Sequence, residues 1–128
     1  MARLHDLVFD CARPAATARF WAAVLDGHAV APYDDEELAR LRALGITDTE
    51  DDPTVLVVPD GGGPRLFFQL VPEAKTVKNR VHLDLTAADP EAEIRRLTAL
   101  GATVLARHPG HVLLADPEGN EFCLMLSG

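Results

Sequence analysis

The residues in this chain whose types and spacing best suggest chemistry are His82 and Asp84, in the mid-chain segment KNRVHLD. We predict a β-strand over Arg80–Thr86, and side chains two positions apart on a strand point to the same face. The carboxylate could then orient the imidazole and fix its tautomer. The opposite face would fill the core with Val81, Leu83 and Leu85. Three readings of His82 stay open: a pocket residue that hydrogen-bonds a ligand, a metal ligand, or a structural partner of Asp84.

Further candidates lie in two other strand-like segments. In RLFFQLV, the side chains of Phe67 and Gln69 share a face, and an aromatic ring beside an amide is typical of small-molecule clefts. Near the C-terminus, Glu121 and Cys123 are also two positions apart and share a face. A cysteine in an apolar strand usually packs as a small hydrophobic residue, and it becomes reactive only where a base or cation lowers its pKa. Cys123 is therefore either a packed thiol or part of a site with His82.

The composition is that of an ordinary globular protein. With 128 residues, of which 48% are hydrophobic, the chain can bury the core of one domain. Its net charge of −8 argues against a nucleic-acid partner and favours a cationic ligand. The two cysteines are too few for a secreted disulfide framework. No apolar run is long enough for a membrane-spanning helix, and the N-terminus lacks a signal-peptide core, so we expect a cytoplasmic protein with no membrane partner.

The predicted helices and strands that would carry these residues form an internal repeat of one module. Each half shows a strand, a helix and three strands, with helix starts at Pro14 and Pro90. The segment DGGGPRLFFQL in the first half corresponds to DPEGNEFCLML in the second. We therefore divide a single domain, residues 1–128, into module one at 1–74 and module two at 78–128. Modules of this length rarely bury enough core alone, so the two should pack together.

Module one carries an acidic insertion at residues 34–53. The leucine spacing predicts a short helix that Asp34 caps and Gly45 ends, followed by an acidic loop. The loop at residues 48–52 could be a calcium site or simply solvated charge. Because its pattern does not match a calcium-binding helix–loop–helix, and runs of charge usually stay hydrated, we predict a solvated loop. The glycines of DGGGP precede a strand, which favours a hairpin turn over a phosphate-binding loop.

Taken together, these features resemble the vicinal oxygen chelate superfamily, which includes glyoxalase I, extradiol dioxygenases, fosfomycin-resistance transferases and bleomycin-binding proteins. The segments that carry the resemblance are DCARPAATARFWAAVLDG, KTVKNRVHLDL and DPEGNEFCL, and they look most like the glyoxalase-like domain of small bacterial proteins. The resemblance covers essentially the whole chain. It implies an α+β fold in which two βαβββ modules in tandem form a curved eight-stranded mixed sheet around a cleft. It also implies a small-molecule ligand and a homodimer.

In metal-dependent members of the superfamily, the first and last strands of each module supply one ligand each, usually His or Glu. Carried over residue by residue, these positions fall on Asp6, Gln69, His82 and Cys123, with His5 replacing Asp6 if the register shifts by one. The chain departs from the pattern, because Gln is a weak neutral ligand and Cys stands where catalytic members usually have Glu. The resemblance therefore implies either one divalent ion (zinc, manganese, nickel or iron) or a protein that has lost the metal.

The function that the resemblance implies is a glyoxalase-like small-molecule-binding protein with an incomplete metal site. One alternative is a divalent-metal-dependent lyase, isomerase or dioxygenase that acts on a small metabolite. Another is a drug-sequestering resistance protein. No residue is assigned a catalytic role. The expected ligand pocket is lined by Asp6, Phe67, Gln69, His82, Asp84, Glu121 and Cys123.

Overall fold

The computed structural model describes residues 1–127, which form two compact units, one over residues 1–74 and one from Lys75 onward. The strands are β1 (Asp6–Cys11), β2 (His28–Val30), β3 (Thr54–Pro59), β4 (Arg65–Leu70), β5 (Leu83–Leu85), β6 (Thr103–Arg107), β7 (His111–Ala115) and β8 (Glu121–Met125). The helices are α1 (Pro14–Val24), α2 (Asp35–Ala43) and α3 (Pro90–Leu100), with a 3-10 helix at Thr49–Asp51. Within the described residues, no helix is long and apolar enough to cross a membrane.

The two units share one topology. Each contains a four-stranded sheet, with strand order β1-β4-β3-β2 in the first and β5-β8-β7-β6 in the second. The first strand of each unit pairs parallel with the last, and the remaining pairs are antiparallel. The predicted α+β fold of two tandem βαβββ modules is therefore confirmed, with its eight strands divided equally between two mixed sheets.

Aromatic packing against α1 forms the core of module one. Pro14 stands in the first turn of the helix, where its missing N–H has no partner to lose. The ring of Trp21 lies 5.3 Å from that of Phe9, which in turn lies 5.0 Å from that of Phe68. Trp21 and Phe68 are buried, so α1 packs on the face of the first sheet that carries Phe9 and Phe68.

In module two, α3 begins and ends where the local sequence signals predict. Asp89 caps the helix, because its side chain accepts a hydrogen bond from the backbone N–H of Ala92. Gly101 ends it in the left-handed conformation, which glycine adopts without strain. Leu97 is fully buried, as are core residues of the sheet such as Phe122.

The acidic insertion forms the predicted short helix. Asp34 caps α2 by accepting a hydrogen bond from the N–H of Glu37, at 2.8 Å. Gly45, two residues beyond the helix, has a φ of +77°, which a residue with a Cβ rarely adopts. The helix and its end are therefore set by the local sequence.

The prediction of a solvated acidic loop is wrong for Asp52. This side chain is buried and accepts hydrogen bonds from the Tyr33 hydroxyl at 2.7 Å, Arg40 at 3.1 Å and the N–H of Thr54 at 2.9 Å. Burial, and then the neighbouring Asp52 carboxylate, raise the pKa of Tyr33 far above its ordinary value. A buried carboxylate persists only when it is paired, and Asp52 therefore anchors the insertion to the start of β3.

A second contact ties the insertion to α1. Both terminal nitrogens of Arg19 donate to the carboxylate of Glu50, at 2.7 and 2.8 Å. These hydrogen bonds hold the pKa of Glu50 below its ordinary value of 4.5. A lowered carboxyl pKa means that the pair stabilises the fold above that ordinary value and loses its effect as the pH falls through the lowered pKa.

We expect Arg19→Ala to return the pKa of Glu50 to its ordinary range, because the guanidinium is the main cause of the shift. The measurement is an NMR pH titration of the side-chain carboxyl carbon. Glu93 of module two serves as the internal control, since its pKa is lowered by Arg96 instead. An unchanged titration of Glu50 in Arg19→Ala would contradict the pairing.

Candidate functional site

In the second sheet, Cys123 lies on the face opposite the core, between residues of the two adjacent strands. Phe122 and Leu124 fill the core, so the side chain between them points to the other face of β8. In the strand register, Cys123 pairs with Asp84 on the parallel strand β5 and with Leu113 on the antiparallel strand β7. The thiol therefore lies between a carboxylate and an apolar side chain.

His82 completes a cluster of three potential ligand residues on this face. Its Nε2 lies 3.2 Å from Oδ1 of Asp84. One donor atom from each of His82, Asp84 and Cys123 lies within 4.8 Å of the others, and no other such group of three occurs among residues 1–127. The side chains of His82 and Asp84 are 44% and 57% exposed, whereas Cys123 is 5% exposed. The cluster thus has a buried sulfur and an accessible imidazole–carboxylate pair.

The strand predicted to carry both His82 and Asp84 is shorter in the structure. β5 covers only Leu83–Leu85, so His82 lies just before it instead of inside it. The expectation that Val81 fills the core is wrong, because this side chain is 77% exposed. The reason is that residues before Leu83 do not continue the ladder with β8, so the strand pleat does not extend to them.

Glu121 holds the connector that leads into β5. Its Oε1 accepts hydrogen bonds from Lys78 Nζ at 2.8 Å and from the N–H of Asn79 at 3.2 Å. Its own N–H donates to Oδ1 of Asn79 at 3.2 Å. Lys78, and then the Asn79 N–H, lower the pKa of Glu121. Glu121, which was predicted as a pocket residue, therefore holds the backbone at Asn79, three residues before His82.

The thiol of Cys123 is not activated as a nucleophile. Burial raises its pKa, and the nearby carboxylate of Asp84 raises it further. A nucleophilic cysteine needs the opposite shift, which a cation or a helix N-terminus supplies. Without a bound cation this thiol stays protonated near neutral pH. Chemistry at the cluster would therefore depend on hydrogen bonding or on a metal ion.

In module one, Asp6 forms an ion pair with the guanidinium of Arg65. Arg65 donates from Nε and a terminal nitrogen to the two oxygens of Asp6, at 2.9 and 3.1 Å. His5 Nδ1 also lies 2.9 Å from Oδ2 of Asp6. The Arg65 hydrogen bonds are the main cause of the lowered pKa of Asp6. The same guanidinium lies 5.5 Å from the ring centre of Phe67, within the range of a cation–π contact.

Gln69 is also bonded within module one. Its Nε2 donates to Oδ1 of Asp10 at 2.7 Å, and the two residues are register partners on β4 and β1. Asp6, Phe67 and Gln69 share the face of the first sheet opposite α1, as the alternation predicts. Sequence reasoning missed the partners Arg65 and Asp10, since each lies 59 residues from the side chain it binds.

An open cleft of about 680 Å³ in module one was also missed. Its wall combines the start of α1 with the acidic insertion, and the two segments are far apart in sequence. Its lining residues include Arg13, Arg19, Glu50, Asp51, Asp52 and Leu70. None of the predicted site residues lies in this wall.

Comparison with known proteins identifies the family and the fold. A sequence model of the glyoxalase-like domain family matches residues 6–125. The fosfomycin resistance protein FosX from Mesorhizobium loti superimposes with a TM-score of 0.69 at 15% identity, over 100% of this chain and 94% of that one. A glyoxalase/bleomycin resistance protein/dioxygenase family enzyme from Burkholderia phytofirmans gives 0.63 at 17% identity, over 96% and 97%. No curated protein sequence matches.

One further structure contains a metal. A variant of FosX from Listeria monocytogenes, complexed with Mn(II) and 1S,2S-dihydroxypropylphosphonic acid, superimposes with a TM-score of 0.65. It is 9% identical, over 100% of this chain and 92% of that one. Identities this low establish a shared fold and leave the ligand of this chain to be argued from its own residues.

Proposed function

The chain belongs to the glyoxalase-like domain family of the vicinal oxygen chelate superfamily, and we propose that it is a small-molecule-binding protein. The ligand would sit on the face of the second sheet that carries His82, Asp84 and Cys123. The observation that carries this proposal is the exposed imidazole–carboxylate pair beside a buried thiol. The homodimer and the cytoplasmic location stay predictions from the sequence.

The pair offers two kinds of contact to a polar ligand. When Nε2–H of His82 donates to Asp84, Nδ1 carries the lone pair and can accept a hydrogen bond from a ligand hydroxyl. The second oxygen of Asp84 can accept another. Leu113 on the neighbouring strand adds an apolar contact. This combination suits a small metabolite that carries hydroxyl groups on a short carbon skeleton.

A second candidate function is a metal-dependent lyase, isomerase or dioxygenase. The three-residue cluster favours it, because His, Asp and Cys are all ligands of divalent ions in proteins. A metal held there would act as a Lewis acid toward substrate oxygens. Glu121 would keep the chain that leads to His82 in place, since it accepts a hydrogen bond from the N–H of Asn79.

A third candidate, a drug-sequestering protein, draws on two other observations. Structures of similar fold bear the name fosfomycin resistance protein. The net charge of −8 favours a cationic drug over an anionic one. The probes that test the proposal therefore include both kinds of molecule.

The test is an NMR titration of ¹⁵N-labelled protein in EDTA with catechol, S-lactoylglutathione, fosfomycin and kanamycin. We expect at least one probe, at up to about 1 mM, to shift the amide signals of Asp84, Leu113 and Cys123. His82→Ala should remove these shifts, while His28→Ala, which alters a histidine of module one, should leave them unchanged. Probe-induced shifts that persist in His82→Ala, or the absence of shifts on this face with every probe, would contradict the proposal.

A further inference from the structure

The metal ligands that the superfamily pattern takes from module one do not fit a cation in this chain. Both oxygens of Asp6 are engaged by the guanidinium of Arg65. A metal at Asp6 would have to displace this bidentate ion pair and would be repelled by the displaced positive charge. Gln69 offers only a neutral amide oxygen, and its nitrogen is held by Asp10.

The donors of module two fit much better. His82, Asp84 and Cys123 already lie within 4.8 Å of one another through their donor atoms. The parallel register of β5 and β8 sets Asp84 beside Cys123, so a rigid sheet positions two of the three donors. Within the described residues, the carboxylate of Asp84 lies 3.2 Å from the imidazole of His82 and forms no salt bridge with a lysine or arginine. Its carboxylate therefore does not have to be released from a cation before it can bind a metal.

We propose that the chain binds one divalent ion through module two alone, with His82, Asp84 and Cys123 as ligands, and that the site selects zinc or cobalt over manganese. This inference rests on the proposed function, because it concerns the same face of the second sheet. A thiolate ligand favours borderline and soft ions, whereas manganese prefers oxygen ligands. The Mn(II) of the FosX variant is therefore not the ion expected here.

The ligand count also bears on the role of the ion. Three protein ligands leave a position for water or for a ligand oxygen, as in catalytic zinc sites, whereas structural sites use four. His82 and Asp84 are about half exposed, so this position would be open to a small molecule. The proposed metal site and the proposed ligand site are therefore one.

The experiment is a cobalt(II) titration of reduced, metal-free protein, followed by absorption spectroscopy and elemental analysis. We expect one equivalent of cobalt and a near-ultraviolet thiolate-to-cobalt charge-transfer band, displaced by zinc and unaffected by manganese. Cys123→Ser should abolish the band, and Asp84→Asn should weaken cobalt binding by more than about 100-fold, since even outer-shell changes cost 10–100-fold. Asp84 is exposed, so its variant should fold normally.

The chain supplies matched controls. Cys11→Ser removes the other buried thiol, and Asp6→Asn and Gln69→Ala remove the ligands of the superfamily pattern. All three should bind cobalt as the unaltered protein does. Loss of the band in Asp6→Asn, retention of the band in Cys123→Ser, or no stoichiometric cobalt in the unaltered protein would overturn the inference. Because the ligand titration is carried out in EDTA, failure of the metal inference leaves that result, and the proposed function, to be judged separately.

Discussion

Replacing Trp21 with alanine is expected to lower the free energy of unfolding by about 3–5 kcal/mol. The indole is 1% exposed, and its ring lies 5.3 Å from Phe9 and 5.5 Å from Phe20. Truncation removes apolar contact with the sheet and leaves a cavity that α1 cannot fill, because β1 and β4 hold the neighbouring rings. The expected loss is a large part of the stability of a typical domain.

The measurement is urea denaturation followed by far-ultraviolet circular dichroism, since Trp21 is the only tryptophan and its fluorescence is lost with it. Trp21→Phe is the matched control, because it keeps a ring in contact with Phe9 and should lose clearly less stability. Equal losses in the two variants would mean that ring packing does not hold α1 on the sheet.

Replacing Asp116 with alanine is expected to cost about 2–3 kcal/mol, because it leaves partly buried backbone donors without a partner. Asp116 is buried, and its Oδ1 accepts hydrogen bonds from the N–H groups of Glu118 and Asn120, both at 2.9 Å. Its backbone closes the same turn, with Gly119 N–H donating to its carbonyl. This turn delivers the chain into β8, which carries Cys123.

Asp116→Asn provides the comparison for this prediction. The amide keeps one oxygen that can accept from the two backbone N–H groups, and it loses the oxygen that accepts from the side chain of Asn120 at 3.3 Å. We expect its loss of stability to be smaller than that of the alanine variant in the same denaturation experiment. If Asp116→Ala unfolds at the same urea concentration as the unaltered protein, the turn does not depend on this carboxylate.

The parts of the fold that the sequence predicted well depend on neighbouring residues. Asp34 and Asp89 cap helices, and Gly101 ends one, because each signal acts within a few residues of its own position. The internal repeat predicted the same order of one strand, one helix and three strands in both modules, and the two sheets have the same strand order. The length of β5 was overestimated because the exposed Val81 has the same apolar character as a core residue. Only the end of pairing with β8 shows that it lies outside the strand.

Part of the candidate site was predictable because alternation along a strand is also a local feature of the sequence. Alternation along strands put Phe67 with Gln69 and Glu121 with Cys123, and the sheet register agrees with both pairs. Alternation says nothing about which residues a side chain meets on the next strand. The guanidinium that engages Asp6 comes from a residue 59 positions away, and Tyr33, which binds Asp52, lies 19 positions away.

By itself, the sequence determined the two βαβββ modules, the ends of their helices, and the face on which each candidate residue inside a strand lies. These features follow from local capping and from the two-residue period of a strand. Only the tertiary structure decided that Asp6 is neutralised by Arg65 while Asp84 lies beside Cys123. The physical reason is that parallel pairing joins strands from distant parts of the chain, so the partner of a carboxylate depends on strand register.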